Sequence, residues 1–157
     1  SLYIDNSFSM DGQSSEGRLL DVAKQRAVEV VESYGSTDRF QILTNDFEGR
    51  HQRWINQEAA VNELEQIELS PQVRPLEQVY RRQADMRSEM DRDGVFEPIW
   101  FSDFQRSGNE FSTWQPDSSF PVRWVRFEPE IEQNLYIDSV DQTRWRNRTD
   151  PRCPKKS

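Results

Sequence analysis

Apolar and polar positions change their period along this chain, and the changes mark its elements. Leu2-Tyr3-Ile4 is a short apolar run that stops at Asp5, with small polar residues after it. Across 17–34, Leu19, Leu20, Val22, Ala23, Ala27, Val30 and Val31 recur at helical spacing, and Gly35 stands where a left-handed glycine commonly ends a helix. Residues 38–47 predict a strand carrying Phe40, Ile42 and Leu43. Residues 50–55 predict a short edge strand whose charges suit an unprotected edge, with His51 among them facing solvent. Asn56 opens a second helix (Ala59, Val61, Leu64, Ile67) and Pro71 breaks it. Pro75, suited to a first helical turn, opens a third that runs to Met90. Residues 94–103 form a strand that is mostly apolar beyond Pro98. A loop of Gly, Asn, Ser and Pro fills 105–119, and 120–127 alternates as a final strand.

This succession of strands and helices is that of a parallel α/β fold. It predicts a doubly wound, mostly parallel central sheet with helices on both faces, Rossmann-like in its winding. The runs at 2–4 and 94–103 suit central strands buried on both sides. Trp100, Phe101 and Trp124 are expected in the core. Trp114, in the long loop, is a candidate for surface recognition or for a satellite cluster under that loop.

Composition narrows the functions. The 157 residues carry 20 Lys and Arg against 28 Asp and Glu, a formal charge of −8. Residues 141–157 hold six of the basic and two of the acidic side chains, so residues 1–140 hold 14 basic and 26 acidic ones. An acidic body of this kind lacks the footprint of a nucleic-acid binder, and the basic tail reads as an appendage. Aromatic residues at 11% are too frequent for a typical disordered chain. With Cys153 and His51 the only residues of their types, a zinc site of the usual His/Cys kind and an internal disulfide are excluded. No apolar run approaches 18 residues, so any membrane attachment would come through flanking segments. Asn147-Arg148-Thr149 matches the glycosylation acceptor pattern, with little weight in such a tail.

Ligands of open α/β sheets bind outside the carboxyl ends of the strands. Two predicted strand ends deliver oxygen-bearing side chains there: Asp5-Asn6-Ser7-Phe8-Ser9 and Ser102-Asp103. One carboxylate with two hydroxyls at alternate positions is a hard-oxygen half-site suited to Mg²⁺ or Ca²⁺, and the second strand adds a carboxylate. The plainer alternative is that Ser7 and Ser9 cap the segment that follows.

From Leu2 to about residue 130 the chain resembles the von Willebrand factor A (VWA) domain. Asp5, Ser7 and Ser9 look like its metal-ion-dependent adhesion motif, and Asp103 looks like the aspartate after that family's fourth strand. The resemblance implies a bound Mg²⁺, Mn²⁺ or Ca²⁺ with one coordination position open to a carboxylate of a protein partner. One position departs: the family takes a Thr where Gln72-Val73-Arg74-Pro75-Leu76 places Arg74. A guanidinium cannot bind a cation, so Arg74 could instead lie between Asp5 and Asp103 and neutralise them, leaving the metal absent. Ser70 is a fallback hydroxyl, displaced by four residues.

More narrowly, Asp-Asn-Ser-Phe-Ser-Met at 5–10, Arg-Pro-Leu at 74–76 and Asn-Leu-Tyr-Ile-Asp-Ser-Val at 134–140 are similar to BatA-type bacterial membrane proteins. This implies a VWA-like domain over 1–132 and, over 133–157, the start of a following segment plus a flexible tail. The whole would be the soluble domain of a membrane-anchored, cell-membrane-associated protein, cut from a longer chain. The expected function is a non-enzymatic interaction module, its partner an acidic protein group or neighbouring domains of the same protein. The competing enzyme is a phosphotransferase using Asp5 as nucleophile. Against it, Ser7 stands where such enzymes need an acid, and Lys24 is the only lysine before the tail.

Overall fold

The computed structural model describes residues 1–89, 94–104 and 121–130. Four strands form one sheet: β1 (Leu2–Ile4), β4 (Ile42–Thr44), β5 (Ile99–Ser102) and β6 (Arg123–Arg126). They lie in the order β4-β1-β5-β6, and every neighbouring pair is parallel. β1 is central, with Leu2 opposite both Ile42 and Ile99 and Ile4 opposite both Thr44 and Phe101. A two-stranded hairpin, β2 (Gln13–Ser14) and β3 (Gly17–Arg18), stands apart from it. Gly17 at φ +126° makes its turn, a conformation that L side chains rarely adopt.

Three helices follow: α1 (Leu19–Ser33), α2 (Gln57–Glu65) and α3 (Leu76–Ser88). Together with the parallel sheet they make an α/β fold. Because the pleat alternates, β1 feeds two buried clusters. Leu2 and Ile4 join Leu20, Ala23, Ala27 and Val31 of α1 and Ala60 and Leu64 of α2, while Tyr3 joins Leu43, Trp100 and Leu76, Val79 and Tyr80 of α3. Trp100 is fully buried in the second cluster, where its Nε1 donates to Gln83 Oε1 at 2.6 Å, so the one polar atom of the indole is satisfied.

Several sequence expectations are corrected. Helix α1 does not end on a left-handed glycine. Tyr34 is already extended, Gly17 alone among the described glycines has positive φ, and the Gly35 N–H donates to Asp38 Oδ2 at 2.7 Å. The strand expected over 38–47 is confined to Ile42–Thr44, with Phe40 in a lone antiparallel bridge to Ile55. The expected edge strand at 50–55 begins instead as a 3₁₀ turn, Gly49–Gln52. That turn folds His51 inward to 2% exposure, where its Nδ1 accepts from the Glu48 N–H at 3.1 Å. A capping box therefore outweighs the charged neighbours that suggested solvent. Trp124 is 43% exposed because β6 is the outer strand, although its ring still lies 5.2 Å from Trp100 and 4.8 Å from Phe104. The loop with Trp114, the segment 133–157 and Asn147-Arg148-Thr149 lie outside the described residues.

Candidate functional site

The chain leaves β1 towards β4 on one side, and later returns to place β5 on the other. The carboxyl ends of β1 and β5 are therefore adjacent where the winding diverges, the position at which open α/β sheets bind ligands. Asp5 extends the ladder there, its N–H donating to Phe101 O at 2.9 Å. Its carboxylate is held by neutral donors from three segments. Oδ1 accepts from the Ser7 N–H at 3.0 Å and from Asn45 Nδ2 at 2.7 Å, and Oδ2 accepts from Ser102 Oγ at 2.6 Å.

Ser7 precedes a 3₁₀ turn, Phe8–Asp11, but makes no side-chain capping bond. Its Oγ lies 3.0 Å from Ser9 Oγ. Capping thus does not account for these hydroxyls. Ser70 reaches the same place by a parallel bridge to Ser7, its N–H donating to Asn6 O at 2.7 Å. The Ser70 hydroxyl is committed elsewhere, as a donor to Asp46 Oδ1. Asp103 is buried at the end of β5, and the next N–H, that of Phe104, donates to Ser102 Oγ at 3.0 Å.

Arg74 is close by but turned away from the expected carboxylates. Its Nε donates to Asn45 O at 2.9 Å, its main-chain N–H donates to Asn45 Oδ1 at 3.1 Å, and its guanidinium carbon lies 5.1 Å from the Phe47 ring centre. Among the described residues no ion pair joins it to Asp5 or Asp103. Of the two carboxylates expected to flank Arg74, Asp5 accepts instead from Ser7, Asn45 and Ser102.

Asn45 and Asp46 were missed as site residues. Asn45 is the hub: besides the bonds to Asp5 and Arg74, its Oδ1 accepts from Tyr3 OH at 2.8 Å and its N–H donates to Asn6 Oδ1 at 3.1 Å. Burial first, then the Asp5 charge, pushes the Tyr3 phenol well above its ordinary value, which keeps it a donor. Asp46 accepts from Asn6 Nδ2 at 2.8 Å as well as from Ser70. Burial alone would raise this carboxyl, but hydrogen bonds from Ser70, Asn6 and Thr44 outweigh it and leave it below the usual range. The signal was available in part: Asn45-Asp46 follows Ile42-Leu43 after a single Thr, while Asp5-Asn6 and Ser102-Asp103 follow their apolar runs directly.

Two non-glycine residues have left-handed backbone, Phe47 at φ +52° and Phe104 at φ +49°. Each follows a strand-end aspartate, Asp46 or Asp103. For bulky residues such geometry is unusual and accumulates near functional sites.

Could these residues hold a cation? Octahedral coordination at about 2.1 Å sets neighbouring oxygens about 3.0 Å apart. Ser7 Oγ and Ser9 Oγ have that spacing, beside a carboxylate that touches no cationic side chain among the described residues. The donor set fits a hard cation, without a hydroxyl from the Arg74 position. No group of three or more His, Cys, Asp or Glu among the described residues could hold a metal on its own. Nor is any helix of the described residues long and apolar enough to cross a membrane. Compared with known proteins, the chain is matched by no family model, no curated protein and no solved structure.

Proposed function

We infer that this chain is a non-enzymatic protein-interaction module of the adhesion type, with a doubly wound VWA-like architecture. The observation that carries the reading is the bond from Ser102 Oγ to Asp5 Oδ2. It joins the Asp-x-Ser-x-Ser segment to the end of the neighbouring parallel strand at the divergence of the winding. Asp5, Ser7, Ser9 and Asp103 would hold Mg²⁺, or Mn²⁺ or Ca²⁺, directly or through water, and the ion would supply a coordination site for a carboxylate of the partner. Arg74, at the position of the family's Thr, supports the site from its rim through Asn45 rather than filling it. The partner is an acidic group of another protein or of a neighbouring domain. The placement in a membrane-anchored, BatA-type bacterial protein belongs to the same reading.

The phosphotransferase alternative gains no support. It needs a cationic side chain at the nucleophile, and Lys24 Nζ donates to Glu65 O at 2.6 Å and Ile67 O at 3.0 Å. The test is thermal unfolding during titration with Mg²⁺ or Mn²⁺. A rise in melting temperature that Asp5→Ala abolishes supports the reading. No rise at millimolar metal, with one appearing in Arg74→Thr, would sink it in favour of a site disabled at Arg74.

A further inference from the structure

Most arginines of the described residues are neutralised: Arg18, Arg26, Arg53, Arg81, Arg123 and Arg126 each lie within ion-pair distance of a carboxylate. Arg39, Arg74 and Arg82 are not, among the described residues, although the chain has an excess of acidic side chains, and the last two lie together. Both are spent on one aromatic ring. Their guanidinium carbons lie 5.1 and 4.8 Å from the centre of Phe47, the left-handed residue after Asp46.

Two like charges on one ring repel each other, and the quadrupole of a single Phe offsets only part of that repulsion. The Arg82 donors are also poorly used. Its terminal nitrogen reaches Phe47 O at a long 3.4 Å, and its Nε is buried with no acceptor among the described residues. Arg74 has spent only Nε, on Asn45 O. Beside Arg82 runs a groove of about 450 Å³ lined by Phe47, Gln78, Arg81, Arg82 and Met86, with Asp85 and Glu89 also on its wall. Val73, next to Arg74, is 62% exposed.

We propose that Arg74 and Arg82, braced on Phe47, form a metal-independent clamp for an acidic side chain of a protein partner, with an apolar neighbour of that side chain resting on Phe47 and Val73. The guanidinium forks are suited to a carboxylate, and its charge would relieve the repulsion between the two arginines. The occupant is a peptide carboxylate rather than a polyanion. A single carboxylate can meet the two guanidinium groups, whereas a run of negative charges would also face Asp85, Glu89 and the acidic body. The proposal takes from the reading above only that the partner is an acidic protein segment. It gives that segment a second anchor, next to the proposed cation site.

The experiment uses fluorescence anisotropy with a short labelled peptide carrying one Glu between Leu residues, and its Lys-for-Glu counterpart, in EDTA and again in Mg²⁺. The expected result in EDTA is binding of the Glu peptide alone, weakened by added salt and by roughly tenfold or more in Arg82→Gln. Arg26→Gln, on the exposed face of α1, should leave that binding unchanged. Arg82→Lys keeps the charge but loses the fork, so it should bind at an intermediate level and covers the case in which Arg82→Gln fails to fold. Equal binding of both peptides in EDTA, or full binding by a folded Arg82→Gln, overturns the clamp. So does inorganic phosphate that binds where the Glu peptide does not. Failure of the cation reading is seen separately, as the absence of any gain on adding Mg²⁺.

Discussion

The two ends of the central sheet differ in what fills them. At the carboxyl end, polar side chains from β1, β4 and β5 bond to one another across strands, and Asn45 alone links Tyr3, Asp5, Asn6 and Arg74. At the amino end, a cavity of about 670 Å³ opens between apolar and aromatic walls that include Val30, Tyr34, Phe40, Trp54 and Phe96. Its aromatic side chains meet edge to face, Tyr34 with Phe40 and Trp54 with Phe96. The difference is instructive for locating function. The larger cavity lies at the end where parallel sheets seldom carry their chemistry, while the candidate site is a bonded polar surface. Contact area weighs more at the amino end, although buried Gln41 and Gln83 are bonded there to Ser1 and His51, and polar pairing weighs more at the carboxyl end.

Four substitutions probe that contrast, and urea unfolding reads them all. Phe40→Ala should have the largest effect, about 3 kcal/mol, because a buried ring at the amino end is lost next to an open cavity. Asn45→Ala should destabilise by about 2 kcal/mol, since it removes few contacts yet strands the buried Tyr3 hydroxyl and an Asp5 lone pair. A loss below about 0.5 kcal/mol there would mean that the carboxyl end is not a coupled network.

Asp46→Asn sharpens the comparison through pH. The native state holds this carboxyl below its ordinary value of 3.8, so its contribution is present above that value and fades as pH falls through the native-state value. The variant should lose part of the acid limb of the stability profile, and an unchanged limb would contradict the hydrogen-bonded account of Asp46. Tyr34→Phe should have the smallest effect at neutral pH. Tyr34 OH donates to the Glu97 carboxylate, and burial, then that bond, pushes the phenol up from 10.0 to about 12. Its contribution is therefore complete below pH 10 and is lost as pH rises towards 12, so the variant should be slightly less stable at neutral pH and should lack this part of the alkaline limb.

The strands that matter most were legible because they are short apolar runs ended by acidic or hydroxyl residues. Leu2–Ile4 with Asp5 could be read directly, the strand expected over 94–103 is confined to Ile99–Ser102 before Asp103, and the helices lay where the apolar spacing put them. Asn45 and Asp46 were hidden because the strand around Ile42 was drawn through to residue 47, which absorbed the polar residues at its end. Propensity cannot show where a strand stops pairing, and that depends on the partner strand. Arg74 was identified as the departure, but its direction was not. Its Nε donates to Asn45 O, a main-chain acceptor whose position depends on where β4 ends and is not visible in the sequence. His51 was misplaced for a similar reason, because a single 3₁₀ turn decides burial in a way that neighbouring charges do not reveal.

The left-handed phenylalanines carry a consequence for how this surface tolerates change. At Phe47 and Phe104 the backbone adopts a shape that glycine would take at no steric penalty, yet the rings remain, one under two guanidinium groups and the other 4.8 Å from Trp124. The aim of Asp46 and Asp103 is thus geared to aromatic contacts outside the polar network. Trp124, on the outer strand, lies against the residue that follows Asp103. Glycine at 104 would relax the turn and uncouple the two.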